Sequence, residues 1–305
     1  MCKYERHGHN ISTRSYTPLV ALTVAYAFDR FYSTINLPGD HRALANTRKD
    51  WIIRRIGGSL DILNSFTMGS IPRFTALEGH ADLDVMIVLH FGKHIKDKKP
   101  STVLADLKVA LGSGAGSIRR NGQAVTMRFV SWPDVDVVPA SRIRSDDGSI
   151  SHYEIPDMNR EEWIKTKPYT HQSQMSAAAS ARGANFKRVI KMIKDWNRRQ
   201  SVSIQSYHLE VIALQMNSVD WDDTGWAIYQ WFTRAETSLQ YLWHEEKDVT
   251  EYLSFDRSMK AKSQISEAKN KALTAWSHTY NGKNNHREAI NNWRSIFGSS
   301  FPSYG

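Results

Sequence analysis

The chain has 305 residues, 41% hydrophobic and 23% charged, which is ordinary globular usage and excludes a disordered protein. Its single cysteine, Cys2, excludes an intrachain disulfide and a cysteine-based zinc site, and favours a reducing, cytoplasmic setting. A net charge of +9 suits anionic partners (nucleotides, nucleic acid or a membrane surface) without choosing among them.

Residues 17–28, TPLVALTVAYAF, follow a basic start and contain Ala25-Tyr26-Ala27, so they resemble a secretory signal with its cleavage site. The apolar positions run on, however, as Phe28, Phe31, Tyr32 and Ile35, with Asp29 and Arg30 on the other side. That period predicts an amphipathic core helix over 17–36, too short in its apolar run to span a bilayer. Pro38-Gly39-Asp40 breaks it, and residues 41–56 predict a second helix closed by Gly57-Gly58.

A short strand or turn entry is expected over 60–67, then a tight turn at Gly69-Ser70 and irregular chain to Gly79. LDVMIVL, residues 83–89, predicts a strand whose unbroken apolar run needs cover on both faces. A helix is expected over 101–111. GSGAGS, residues 112–117, lacks the spacing and the Lys-Ser/Thr end of a phosphate loop, so it is expected to be a plain connection. Two strands, 123–130 and 134–140, flank Trp132-Pro133. His90 and His94 are four apart but have no further ligands nearby, so no zinc site is expected. Beyond about residue 160 strand signals fade, and helices are expected over 176–199, 206–217, 226–244, 257–279 and 285–297. The fold class is α+β: a mixed-sheet core over 1–160 and a helical domain over 161–305.

Asp82 and Asp84 sit at the mouth of the buried strand. Residues i and i+2 of a strand share a face, so the two carboxylates project together and repel. A divalent cation removes that repulsion, and Mg²⁺ prefers one or two carboxylates plus phosphate oxygens. Upstream, Gly69 permits close backbone approach to an anion and Ser70 adds a hydroxyl. Downstream, DVDVVPA places Asp136 on a later strand. If the two strands are neighbours, three carboxylates meet, enough for two metals and in-line attack on phosphorus.

The pattern GS…DLDVMIVL…DVDVVPA resembles the polymerase-β-type nucleotidyltransferase signature. It is closer to the CD-NTase branch, the bacterial enzymes similar to cyclic GMP-AMP synthase and oligoadenylate synthase. The carriers are Asp136-Val137-Val138-Pro139-Ala140, the helix KMIKDWN (191–197), SYHLE (206–210) and the tail WRSIFGSSFP (293–302). The resemblance implies a polymerase-β-like core, with the active site in the cleft between core and helical domain. It implies that Gly69 and Ser70 hold a triphosphate and that Asp82 and Asp84 bind two Mg²⁺ ions, with Mn²⁺ as a substitute. Asp136 would bind the catalytic metal and help to activate a ribose hydroxyl. Asp134 shares its face, but the VVPA context favours Asp136. Lys194, with Lys191 beside it, and Ser206 would contact the triphosphate, and Tyr207 would stack on a base.

The helix NFKRVIKMIKDWNRR sets Lys187, Lys191, Lys194 and Arg198 in one stripe over an apolar face, which an anionic partner would relieve. The tryptophans Trp221, Trp226, Trp231, Trp243, Trp276 and Trp293 are expected in packing.

The function implied by the resemblance is a cyclic oligonucleotide synthase acting on NTPs, ATP or GTP first and pyrimidine NTPs also open. Its setting would be anti-phage (CBASS) signalling, with a separate effector responding to the product. The animal DNA sensor's cysteine-rich zinc insert is absent, so activation by long DNA through that element is not expected, and a nucleic-acid activator stays open. Three other readings stay open: an RNA-modifying or polymer-adding nucleotidyltransferase, an antibiotic nucleotidyltransferase and a non-catalytic nucleic-acid-binding module. Gly305 as last residue also suits conjugation by a ubiquitin-like machinery, as in some systems of the family.

Overall fold

The computed structural model describes residues 22–305 apart from 38, 40 and 120. Cys2, the start of the expected first helix and two residues of its Pro38-Gly39-Asp40 break lie outside the described residues. Helix α1 (Val24–Ile35) starts where the Thr23 hydroxyl accepts a hydrogen bond from the Tyr26 N–H. Its buried side meets the C-terminal helix α11 (His286–Phe297): Phe28 lies 5.0 Å from the Trp293 ring and 5.2 Å from Phe301. Ala25-Tyr26-Ala27 is thus helix, with Ala27 in the packed core and Ala25 and Tyr26 exposed. Among the described residues, no helix is long and apolar enough to cross a membrane.

Helix α2 (His41–Ile56) matches expectation and leads into β1 (Ile62–Met68). A short helix, α3 (Ser70–Arg73), follows Gly69 directly. Strand β2 (Leu83–Leu89) is antiparallel to β1 and parallel to β5 (Val135–Arg144). Between them come α4 (Phe91–His94), α5 (Pro100–Leu111), β3 (Ala115–Ile118) and β4 (Val125–Met127). The sheet order is β1-β2-β5-β4-β3, so β2 and β5 are interior strands. One face of β2, with Leu83, Val85, Ile87 and Leu89, packs with α2 and α5 side chains. The other, with Met86 and Val88, packs against Val138, Ala140 and Tyr153. Both faces are covered, which is why the run is unbroken.

Two expectations in this half need correction. GSGAGS is not only a connection: Gly112 and Gly114 take positive φ, but Ala115–Ile118 forms an edge strand. A Cβ on Gly116 would stand 3.0 Å from the Thr126 carbonyl, so β3 exists through close pairing with β4 rather than through its own propensity. The sheet also continues past Ala140 into a hairpin of β6 (Ile150–Asp157) and β7 (Glu162–Thr166), in which β6 pairs with β5 and β7 with β6.

The remainder is helical around one large core. The helix expected over 176–199 is two, α6 (Pro168–Arg182) and α7 (Asn185–Arg199), divided at Gly183, whose φ of +82° ends the first. Then come α8 (Ser206–Leu214), α9 (Thr224–Ser238), a small hairpin of β8 (Trp243–His244) and β9 (Lys247–Asp248), and α10 (Phe255–Ser277) before α11. Trp196, Trp231 and Trp293 are buried in this core, which also takes in α1. Trp243 differs from expectation: on the hairpin it is 63% exposed.

Candidate active site

Asp84 and Asp136 stand in register on adjacent parallel strands, so their carboxylates share a face. Thr126 is the register partner of Asp136 on its other side, and its hydroxyl donates to Asp136 Oδ1 at 2.6 Å. Asp82 lies just before β2. Its segment is pinned by the Leu83 N–H donating to Asp134 O at 3.0 Å and the Trp132 indole donating to Ala81 O at 2.8 Å. The expected pair and the third carboxylate therefore meet at the entry ends of two interior strands. Asp134 lines the same cleft as Asp82, with its carboxylate accepting the Phe129 N–H at 3.0 Å.

Gly69 explains its own identity. Its φ is +78°, a left-handed conformation, and its backbone lies directly against the Asp84 carboxylate. Burial, then the Asp136 carboxylate, pushes the Asp84 carboxyl up to about 7, although it keeps some solvent contact. Asp136, almost wholly buried, is raised by burial too, opposed by the Thr126 hydrogen bond and by Arg119.

Arg119 is a residue the sequence did not single out. Its guanidinium bridges the cluster, 3.1 Å from Asp82 Oδ2 and 2.8 Å from Asp136 Oδ2. It lines a cleft of about 470 Å³ with Asp82, Ser117, Asn121, Thr126 and Arg128. Among the described residues, no group of three or more His, Cys, Asp or Glu side chains stands arranged to hold a metal ion. The guanidinium supplies the compensating positive charge instead. The donor set still fits a hard divalent cation: three carboxylates, two of them disfavoured in their charged form by burial and by neighbouring carboxylates.

In the basic helix each member of the stripe meets a local partner. Lys187 lies 4.8 Å from the Phe74 ring, and Arg198 donates to Asp195 at 2.9 Å. Lys191 donates to the Asn36 side chain and lies 5.6 Å from the Tyr32 ring, against the α1 end. Lys194, expected to touch a triphosphate, is buried and donates to Glu210 Oε1 at 2.7 Å and to the Thr75 hydroxyl at 3.0 Å. An ammonium so enclosed is a structural strut in this conformation.

Ser206 opens α8 and is exposed; Tyr207 is half-buried, its ring centroid 4.7 Å from that of His171. Burial pushes the Tyr207 hydroxyl up to about 12. Glu210 lies four residues past Ser206 and three past Tyr207, one turn further along α8.

A two-strand carboxylate cluster beside a glycine-led turn, backed by a helical lobe, defines a nucleotidyltransferase. Comparison with known proteins agrees. Residues 22–178, just over half of the chain, match the family described as the Second Messenger Oligonucleotide or Dinucleotide Synthetase domain, and the chain belongs to that family. It is similar to a probable cyclic nucleotide synthase of Bacillus cereus, 22% identical over 329 residues, covering 92% of this chain and 98% of the relative. A cyclic AMP-AMP-AMP synthase of an Acinetobacter species is 29% identical over 150 residues, 46% of this chain and 41% of that protein. The structure of CdnC from E. coli with ATP shares the fold at a TM-score of 0.73 and 17% identity, over 93% of this chain and 100% of that one.

Proposed function

We propose that this enzyme joins nucleoside triphosphates and closes the product into a cyclic oligonucleotide, as a second messenger in anti-phage defence that a separate effector reads. The observation that carries the reading is the in-register pair Asp84 and Asp136, with Asp82 beside them and the Gly69 backbone against Asp84. Membership of a family described as synthetases of second-messenger oligonucleotides or dinucleotides supports the product class.

In this reading Asp82, Asp84 and Asp136 would hold Mg²⁺, which would offset phosphate charge and favour the ionised form of an attacking ribose hydroxyl. Gly69 gives the triphosphate access to backbone, Ser70 offers a hydroxyl, and Ser206 offers a second from α8. Tyr207 presents its ring to a base. Asp136 is positioned by Thr126 to keep one oxygen directed and to take part in activating the hydroxyl. Arg119, held by Asp82 and Asp136, is the cation that Mg²⁺ must replace, and once released it is free to pair with phosphate.

The purified chain, given four labelled NTPs with Mg²⁺ and then phosphatase, is expected to yield a resistant small product. The Asp82→Ala, Asp84→Ala variant is expected to yield none. Labelled polymer or labelled added RNA would replace this reading with an RNA-directed transferase. No labelled product in any form would favour a binding module.

A further inference from the structure

The buried carboxylate of Glu210 has no part in the reading above, yet it is the most heavily partnered acid in the described structure. Oε1 accepts from Lys194 at 2.7 Å and from the Thr75 hydroxyl at 2.6 Å. Oε2 accepts from Arg73 Nε at 2.9 Å and from His171 Nε2 at 2.8 Å. An ionised carboxylate only accepts, so His171 must carry its proton on Nε2. Burial pushes the Glu210 carboxyl up, but Lys194, the His171 hydrogen bond and Arg73 outweigh it and hold the group well below the usual carboxylate range.

The partners come from three other places in the fold. Arg73 ends α3 and Thr75 follows it, so both belong to the segment that Gly69 and Ser70 open. Thr75 N–H also donates to Ser70 O at 3.0 Å, tying the two ends of that segment together. His171 lies on α6, Lys194 on α7 and Glu210 on α8, one turn past Ser206 and Tyr207.

We propose that Glu210 is a positioning residue for nucleotide binding: it locks the Gly69–Thr75 segment to the helix carrying Ser206 and Tyr207, so that the two halves of the pocket keep one spacing. The proposal rests on the nucleotidyl-transfer reading. It also gives Lys194 a role from within: its ammonium is committed to this joint. A triphosphate bridged between Ser70 and Ser206, with its base against Tyr207, would sense the spacing as binding strength. Misplacement of about an ångström between paired contacts is costly.

The test is Glu210→Gln, which keeps shape and removes charge. A second variant, Thr75→Val, removes only one hydroxyl. Each is compared with wild type by circular dichroism, by thermal midpoint, by calorimetric titration with ATP and Mg²⁺ at 10 °C, and by KM and kcat separately. The expected result for Glu210→Gln is a folded protein whose ATP dissociation constant and KM both rise about tenfold. Thr75→Val is expected to shift both about threefold in the same direction. A stability role alone would lower the midpoint and leave ATP affinity at 10 °C unchanged, which overturns the proposal. If Glu210→Gln does not fold, Thr75→Val decides by the same criterion. Wild type that neither binds ATP nor forms product sinks the nucleotidyl-transfer reading and this proposal with it. Active wild type with variants of unaltered affinity sinks this proposal alone.

Discussion

A Cβ on residue 69 would stand 2.8 Å from Cγ of Asp84 and closer still to its Oδ2. The absent side chain of Gly69 is therefore what lets the Asp84 carboxylate occupy its place in register with Asp136. Gly69→Ala is expected to swing that carboxylate aside, because a side-chain end yields before a backbone does. The φ of +78° with ψ of −155° at this position, a region open essentially to glycine, adds roughly 1–3 kcal/mol of strain. Product formation should fall by at least about a hundredfold, as misplacing a metal-binding group does. The thermal midpoint should drop only a few degrees, by about 2–4 °C per kcal/mol. Parallel activity and melting measurements separate the two effects.

Arg119 pairs with two of the three carboxylates, and Asp136 is nearly fully buried. Arg119→Ala should destabilise the metal-free protein by about 1–2 kcal/mol, a figure reduced because the guanidinium is half exposed. It should also remove the competitor for Mg²⁺. The expected signature is a lower melting midpoint without Mg²⁺ and a larger Mg²⁺-induced rise than in wild type. Equal rises in the two proteins would mean that guanidinium and cation do not compete.

The carboxylates were legible in the sequence because their geometry is local. Asp84 stands on β2 with Asp82 two residues before it, just outside the strand, and the Asp136 strand carried a matching motif. Arg119 was not, because a charged residue after a short strand of small residues gives no periodic signal, and its partners are set by the sheet's crossover order. The lysine stripe shows the same limit differently. Helical period placed Lys191 and Lys194 correctly on one face, but what faces them, Asn36 and Glu210, is decided by how other helices pack against α7. The hairpin of β6 and β7 was missed because ISHYEIPD and EWIKT mix polar with apolar residues and are held by pairing, β6 with β5 and β7 with β6. The break between α6 and α7 rests on a single glycine, Gly183, inside an otherwise helical run.

Tyr207 should act through its ring. The hydroxyl, held protonated by burial, carries no charge at neutral pH. Base–aromatic stacking is worth ~1–3 kcal/mol, so Tyr207→Ala should raise the NTP KM by roughly ten- to a hundredfold. Tyr207→Phe should stay within about threefold of wild type, since it keeps the face that stacks. A large loss in the Phe variant would show instead that the hydroxyl bonds substrate. Initial rates over a range of NTP concentration make the distinction.

His208 makes the fold acid-sensitive. Its ring is fully buried on α8, and burial pushes its pKa down to about 4. The native state holds it neutral, with Nδ1 3.1 Å from the Tyr252 hydroxyl. An unfolded chain protonates the same imidazole near its ordinary value of about 6.5. The unfolded state therefore binds more protons between about pH 6.5 and pH 4, and stability is lost as pH falls through that window and is fully present above it. The contribution by pH 5 is roughly 1–2 kcal/mol. His208→Gln keeps a hydrogen-bonding side chain and removes the titration, so its midpoint at pH 7 should lie slightly below wild type. Between pH 7 and pH 5 the variant should lose fewer degrees than wild type does, because its unfolded state gains no proton at that position. Melting curves of both proteins across that range test this directly, and parallel slopes would place the acid sensitivity elsewhere in the chain.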